Sequence, residues 1–126
     1  KTNGVYKIIF DAVKNNQLKY MGSKKSIRKY IHVTDAAEAT MSILSSKFKN
    51  KYINISGSRS YKITKLFKIL SNKLNLRKKV LYQHKKYIGH YVKSPTEFKT
   101  RKSINFKFKK ETRFEKGLNL LIREIK

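Results

Sequence analysis

The residues with the clearest capacity for chemistry lie within residues 22–39, GSKKSIRKYIHVTDAAEA. Four cations stand close together there: Lys24, Lys25, Arg28 and Lys29. A guanidinium suits a phosphate because its planar fork donates two parallel charge-assisted hydrogen bonds, whereas a lysine ammonium acts as a point charge. Arg28 is therefore the candidate for holding a specific anion, and the alternative is that all four are solvated surface charges.

Other kinds of chemistry find little support in the sequence. The chain has no cysteine, which removes disulfides, thiolate metal sites and cysteine nucleophiles. The three histidines, His32, His84 and His90, form no pair at the i, i+4 spacing of a helix, so ordinary surface or core positions are favoured over a metal site. The GSRS and MGSKK segments lack the spacing of a glycine-rich phosphate loop. We predict no catalysis by this segment alone.

Helices and strands that could position these residues alternate along the chain. Apolar residues at helical spacing predict helices over 4–15, 34–46, 61–75 and 112–126. Alternating β-branched and aromatic residues predict strands over 18–22, 27–33, 51–57 and 78–84, and residues 85–105 have no regular period. This order predicts an α/β fold.

The predicted strand 27–33 decides where the arginine points. Alternation places Arg28, Tyr30 and His32 on one face and Ile31 and Val33 on the other. If the second pair packs inward, the arginine lies on the open side.

The helix after this strand has a predicted start and a predicted apolar face. We expect Asp35 to be its N-cap, with Glu38 as the reciprocal half of a capping box. Ala37, Met41 and Leu44 give it a narrow apolar seam.

The formal charge of +25, from 32 Lys and Arg against 7 Asp and Glu, keeps a polyanionic partner open. The 12% of aromatic residues could stack on bases, so a free-standing nucleic-acid-binding module is the alternative function. However, 26 of the 32 cations are lysines scattered through every segment, which favours a general compositional bias. No apolar run is long enough to span a bilayer and no signal-peptide pattern is present, so we expect a cytoplasmic protein without a membrane partner.

Three motifs, in order, resemble the C-terminal half of the NAD-dependent epimerase/dehydratase family of nucleotide sugars, the extended short-chain dehydrogenases/reductases. The first motif comprises Gly22, Arg28, Tyr30, Ile31, His32, Val33, Asp35, Ala37 and Ala39. The second comprises Tyr52, Asn54, Ile55, Gly57, Tyr61 and Leu66. The third comprises Ile104, Asn105, Phe106, Gly117 and Leu118. The resemblance covers about residue 4 to the end of the chain.

The resemblance implies that residues 1–126 form the small mixed α/β region that binds the nucleotide-sugar substrate. It implies that Arg28 reaches the diphosphate, that Tyr20 and Leu18 border the nucleotide base, and that Lys86 is nearest by spacing to a second diphosphate-binding arginine. The family's glycine-rich NAD motif and catalytic Tyr-x-x-x-Lys would both lie upstream. We therefore expect a fragment whose NAD-binding Rossmann domain is absent, which is not catalytic alone and which belongs to a homodimeric enzyme when complete.

Overall fold

The computed structural model describes residues 4–83 and 102–126, which form a small mixed α/β domain. The helices are α1 (Gly4–Asn15), α2 (Val33–Ser42), α3 (Ile63–Lys73) and α4 (Phe114–Ile125), and a short 3₁₀ helix spans Ser46–Phe48. The strands are β1 (Lys19–Met21), β2 (Ile27–Lys29), β3 (Tyr52–Asn54), β4 (Ser60–Lys62), β5 (Leu81–Gln83) and β6 (Ser103–Asn105). No helix within these two ranges is long and apolar enough to cross a bilayer.

The strands pair in twos. β1 lies parallel to β5, with Tyr20 opposite Tyr82. β3 lies parallel to β6, with Ile53 opposite Ile104. β2 is antiparallel to β4, with Arg28 opposite Tyr61. The described part of the chain therefore combines both kinds of pairing, and the α/β class predicted from the sequence is confirmed.

Two helices end on asparagines that adopt the left-handed backbone conformation. Asn16 follows α1 with φ of 50°, and Asn75 follows α3 with φ of 52°. After α3, the N–H of Asn75 bonds to the carbonyl of Asn72, and the N–H of Leu76 bonds to that of Ser71. This pair of bonds is the Schellman arrangement, which satisfies carbonyls at the helix end.

The core is built mainly by α3, whose predicted apolar face is confirmed. Ile63, Leu66, Phe67 and Leu70 are all at most 2% exposed. They pack with side chains from α1, from the β1 segment and from α4, namely Ile9, Ala12, Leu18, Tyr20, Leu118 and Ile122. This cluster fixes β1, and with it the turn that leads to β2.

The chain after β2 differs from its prediction. The strand stops at Lys29, and α2 already begins at Val33. His32 is the N-cap, with its Nδ1 accepting a bond from the Thr34 N–H at 3.4 Å. The predicted N-cap role of Asp35 is therefore wrong, and Val33, expected to pack inward, is 74% exposed.

The predicted apolar seam of α2 lies on the exposed side of the helix. Met41 is 68% exposed, Leu44 is 74% exposed, and Ala37 is exposed as well. The residues that α2 buries are Asp35 and Ala39. The spacing of apolar residues indicates an amphipathic helix, but it does not show which face packs against the rest of the protein. The sequence pattern therefore could not distinguish the buried face of α2 from the exposed one.

Two short strands were not predicted from the sequence. β4 directly precedes α3, within a segment predicted as helix, and β6 falls in the stretch that showed no period. Each is three residues long, which is too short for a period of two to stand out.

Candidate functional site

Arg28 is the middle residue of β2 and is half-buried. Its Nη1 donates a 2.9 Å hydrogen bond to the carbonyl of Ile27. The strand is anchored next to α3 because the N–H of Ile63 donates to the Ser26 carbonyl at 2.9 Å. This bond satisfies an N–H at the start of α3, where the N-cap residue Lys62 forms no capping hydrogen bond with its side chain. The position of the arginine backbone is thus set by the core.

The turn before β2 has a fixed shape. Gly22 has φ of 140°, and its N–H donates to the carbonyl of Gln83 in β5. A Cβ at this glycine would lie 3.2 Å from the ring of Tyr20. Ser23 then closes the turn, with its hydroxyl accepting from the Lys25 N–H and its carbonyl accepting from the Ser26 N–H. A side-chain-bearing residue at position 22 would strain this approach to β2.

Leu18 and Tyr20 lie in the core. They are 1% and 6% exposed, and the Tyr20 ring meets the Phe67 ring edge-on with centroids 5.3 Å apart. Their side chains therefore face the apolar cluster, and contact with a base would have to come from the main chain of this segment. Periodicity alone could not reveal this, because a three-residue strand does not define a face.

The lysines near Arg28 in the sequence differ in their surroundings. Lys24 places its Nζ 4.6 Å from the centroid of the Tyr82 ring, a cation–π contact. Burial raises the pKa of the Tyr82 phenol above its ordinary value. Lys25 is exposed, and Lys86 lies outside the described residues. Among the predicted substrate contacts, the Leu18–Tyr20 segment and Arg28 lie on either side of the turn that Gly22 and Ser23 form.

A groove of about 920 Å³, which sequence reasoning missed, runs beside this region. Three stacked aromatic rings line it: Phe114 lies 4.2 Å from Tyr61 and 5.3 Å from Tyr30 between centroids. Tyr61 is also the cross-strand partner of Arg28, so the groove begins next to the arginine without including it. The three aromatic residues are visible in the sequence, but each falls in a separate predicted element. The sequence therefore contains no local sign that their rings meet.

One wall of the groove is held by two carboxylates. Asp35 accepts from the N–H and the hydroxyl of Thr112, each at 2.8 Å. Glu111 accepts from the N–H of Ser58 at 2.9 Å and also from its hydroxyl. We call these four residues the carboxylate clasp. It ties the segment before α4 to α2 and to the loop after β3.

Aromatic side chains that could stack on bases are mostly engaged within the fold. Phe67 and Tyr20 are buried, and Phe48 and Phe106 pack on each other at 6.1 Å. Tyr52, by contrast, is 72% exposed. A stacking platform built from several open rings is therefore not formed by these residues.

No metal site is present in the part of the chain that the structure describes, since no three His, Cys, Asp or Glu side chains converge. An NAD site does not fit either. The five glycines, at positions 4, 22, 57, 89 and 117, are too far apart for a glycine-rich turn.

Comparison with solved structures identifies a relative of the fold. The chain superposes on the UDP-glucose 4-epimerase of Thermotoga maritima, solved with UDP-glucose, with a TM-score of 0.73 and 22% sequence identity. The match covers 98% of this chain and 39% of the epimerase chain. No family model matches the sequence, and no curated protein matches it either. At this level of identity the similarity establishes the fold, and the chain spans well under half the length of its structural neighbour.

Proposed function

We propose that this chain is the nucleotide-sugar-binding part of an NAD-dependent epimerase or dehydratase. The observation that carries the proposal is the superposition of 98% of the chain on part of an enzyme solved with UDP-glucose. Three ordered motifs resembling that family support it independently of the coordinates.

Arg28 is the residue we assign to the diphosphate. Its backbone is fixed by β4 and by the start of α3, and its cross-strand partner Tyr61 lines the groove. Its Nη1 donates a hydrogen bond to a neutral carbonyl, that of Ile27. A diphosphate oxygen is a stronger acceptor for a guanidinium, because charge-assisted bonds are about twice as strong as neutral ones.

The main chain of Leu18–Tyr20 and the Lys86 side chain complete the proposed contacts. The first would border the base with backbone groups, since the two side chains are in the core. In this proposal the chain binds and orients substrate. NAD, which would supply hydride transfer, is held by a separate domain, and no redox step takes place on these residues.

Calorimetric titration of UDP-glucose tests the assignment. Replacing Arg28 by Ala should weaken binding by about 1.5–3 kcal/mol, the range for a hydrogen bond to a charged group. Arg28→Lys should recover only part of this loss, because it restores the charge without the fork. Circular dichroism of each variant checks that the overall secondary structure is unchanged.

The controls are Lys24→Ala and Lys25→Ala beside the arginine, and Arg77→Ala at an exposed position after α3. Each should cost much less than Arg28→Ala. Equal losses at all four positions would mean that binding reflects a diffuse positive field. If single-stranded DNA bound more tightly than UDP-glucose, with a steep salt dependence, the nucleic-acid alternative would replace the proposal.

A further inference from the structure

A second groove, of about 580 Å³, is lined by residues of α2, of the 3₁₀ helix and of the segment that follows β6. Lysines are concentrated along it. The described residues that line it include five lysines and one acidic residue: Lys47, Lys51, Lys107, Lys109, Lys110 and Glu38. We call it the lysine groove. Its volume lies within the range of about 300–1,000 Å³ that is usual for small-molecule sites.

The positive charge of the lysine groove is not simply the charge of the whole chain. The groove of about 920 Å³ described above has three acidic and three Lys or Arg side chains among its described lining residues. These are Glu111, Glu115 and Glu124 against Arg59, Arg113 and Lys116. In the lysine groove, cations exceed acids by five to one. Charge of one sign in a concave site concentrates the electric field, so this groove should attract anions more strongly than the balanced one does.

The lysines come from two segments that the fold holds together. The rings of Phe48, on the 3₁₀ helix, and Phe106, after β6, pack with centroids 6.1 Å apart. The N–H of Phe106 also donates to the carbonyl of Asn54 in β3 at 2.9 Å. Residues 107–110 are therefore tied to residues 47–51, and the cations of both segments border the same space.

Two of the ammonium groups are oriented by contacts within the chain. The Nζ of Lys51 donates to the carbonyl of Lys47 at 2.7 Å, and the Nζ of Lys47 lies 4.8 Å from the centroid of the Phe48 ring. Neither contact neutralises the positive charge, because a carbonyl and a phenyl ring are both uncharged. Side chains that are already ordered lose less conformational freedom when a ligand binds.

The segment after β6 alternates between rings and cations. Phe106 and Phe108 are half-buried, with centroids 5.0 Å apart, whereas Lys107, Lys109 and Lys110 are exposed. In extended chain, neighbouring side chains point to opposite sides, so the rings turn toward the protein and the lysines toward solvent. The lysine groove thus combines exposed ammonium groups with a partly apolar floor.

We propose that the lysine groove binds a small anion that carries several phosphate groups. A lysine ammonium attracts phosphate as a point charge, and more than one phosphate is needed to balance five of them. A small anion suits the groove because its volume matches one bound molecule. The proposal does not rest on the nucleotide-sugar assignment, since Arg28 does not line this groove.

Calorimetric titration of inorganic tripolyphosphate into the chain tests the proposal at about 0.15 M salt, where a Debye length of about 8 Å screens distant charges. Lys107→Gln combined with Lys110→Gln should weaken binding by about tenfold or more, because hydrogen bonds to charged groups are lost. The matched control combines Lys65→Gln with Lys68→Gln, at exposed positions of α3 outside the groove. It removes the same charge and should change the affinity by less than about twofold.

Replacing the acidic residue of the groove should have the opposite effect. Glu38→Gln removes the carboxylate that repels the anion and should tighten tripolyphosphate binding by about twofold or more. Glu115→Gln, in the other groove, changes the net charge equally and should leave the affinity unchanged. Circular dichroism and urea denaturation of every variant check that the fold is retained.

ATP, titrated in parallel, distinguishes two sources of the phosphate groups. Similar affinities for ATP and tripolyphosphate, both lost in the groove variant, would support recognition of the phosphates alone. Tighter binding of ATP, lost in the same variant, would support a nucleoside triphosphate that also contacts the apolar floor.

Four results would overturn the proposal. The first two are equal losses in the lysine-groove pair and the α3 pair, which would show a diffuse positive field, and no binding of either ligand to the unchanged chain. The third is a loss on Arg28→Ala as large as that of the groove pair, which would place the anion at Arg28. The fourth is tighter binding of a single-stranded oligonucleotide or of anionic lipid vesicles at the same phosphate concentration, which would replace the small anion by a nucleic acid or a membrane.

Discussion

The two amphipathic helices α2 and α3 are similar in length and opposite in how they are covered. α3 buries four apolar side chains in the core, whereas α2 buries Asp35 and Ala39 and exposes its larger apolar residues. None of the ten side chains in the buried cluster comes from α2, β3 or β6. Thus one half of the molecule is closed around its own core, and the other half has an apolar surface without a cover among the described residues.

What holds the α2 half in place is largely polar. The carboxylate clasp joins α2 and the β3 loop to the segment before α4. Asn54 and Asn105 also bond through their side chains, at 3.0 Å, across the β3–β6 pair. Hydrogen bonds each contribute about 0.5–1.5 kcal/mol net, less than a buried aromatic side chain. Substitutions in the two halves should therefore differ in size and in kind.

The largest effect should come from the closed half. Phe67 is fully buried against the rings of Tyr20 and Tyr82, so Phe67→Ala should cost about 3–5 kcal/mol of unfolding free energy. Urea denaturation followed by circular dichroism measures it. Phe10→Ala, at a ring that is 45% exposed on α1, is the matched control and should cost much less. Similar costs for both would mean that the core is not where the structure places it.

The next effect concerns the junction between the halves. A Cβ on Gly57 would lie 1.8 Å from the carbonyl oxygen of Tyr30, which is main chain and cannot rotate away. Gly57→Ala should therefore cost about 3 kcal/mol or more, at the upper end for overpacking. Gly4→Ala has open space around its Cβ and serves as the control in the same denaturation series. An alanine tolerated equally well at both positions would contradict the close approach.

The carboxylate clasp should give a smaller effect. Asp35→Ala removes the acceptor for both Thr112 bonds and should cost about 1.5–3 kcal/mol. A double-mutant cycle with Thr112→Val isolates the part of this cost that belongs to the hydroxyl bond, because valine keeps the main-chain N–H that also donates to Asp35. Additive costs would contradict a contribution from the hydroxyl bond.

The success of the sequence-based predictions also differs between these two halves. α3 and α4 were predicted correctly because their apolar stripes meet a core supplied by this chain. Arg28 was assigned to the diphosphate through a motif, and this role stays a prediction. The burial of Tyr20 was not predicted, since it depends on Phe67 and Tyr82 from distant parts of the sequence. The clasp was missed for the same reason: Asp35 and Thr112 are 77 residues apart, and Asp35 also suited a helix cap.

The smallest effect should come from the exposed apolar residues of α2, and it is the sharpest test of the comparison. Met41 is 68% exposed, so Met41→Gln removes little buried apolar area and should change the unfolding free energy of this chain by no more than about 0.5 kcal/mol. Leu66→Gln, at a fully buried position of α3, is the counterpart and should be strongly destabilising because it also buries an amide. Both are read by urea denaturation. A large loss at Met41 would show that this side chain is covered within the chain after all. A small loss means that the exposed apolar side of α2 contributes little to the stability of the chain, in contrast to the buried side of α3.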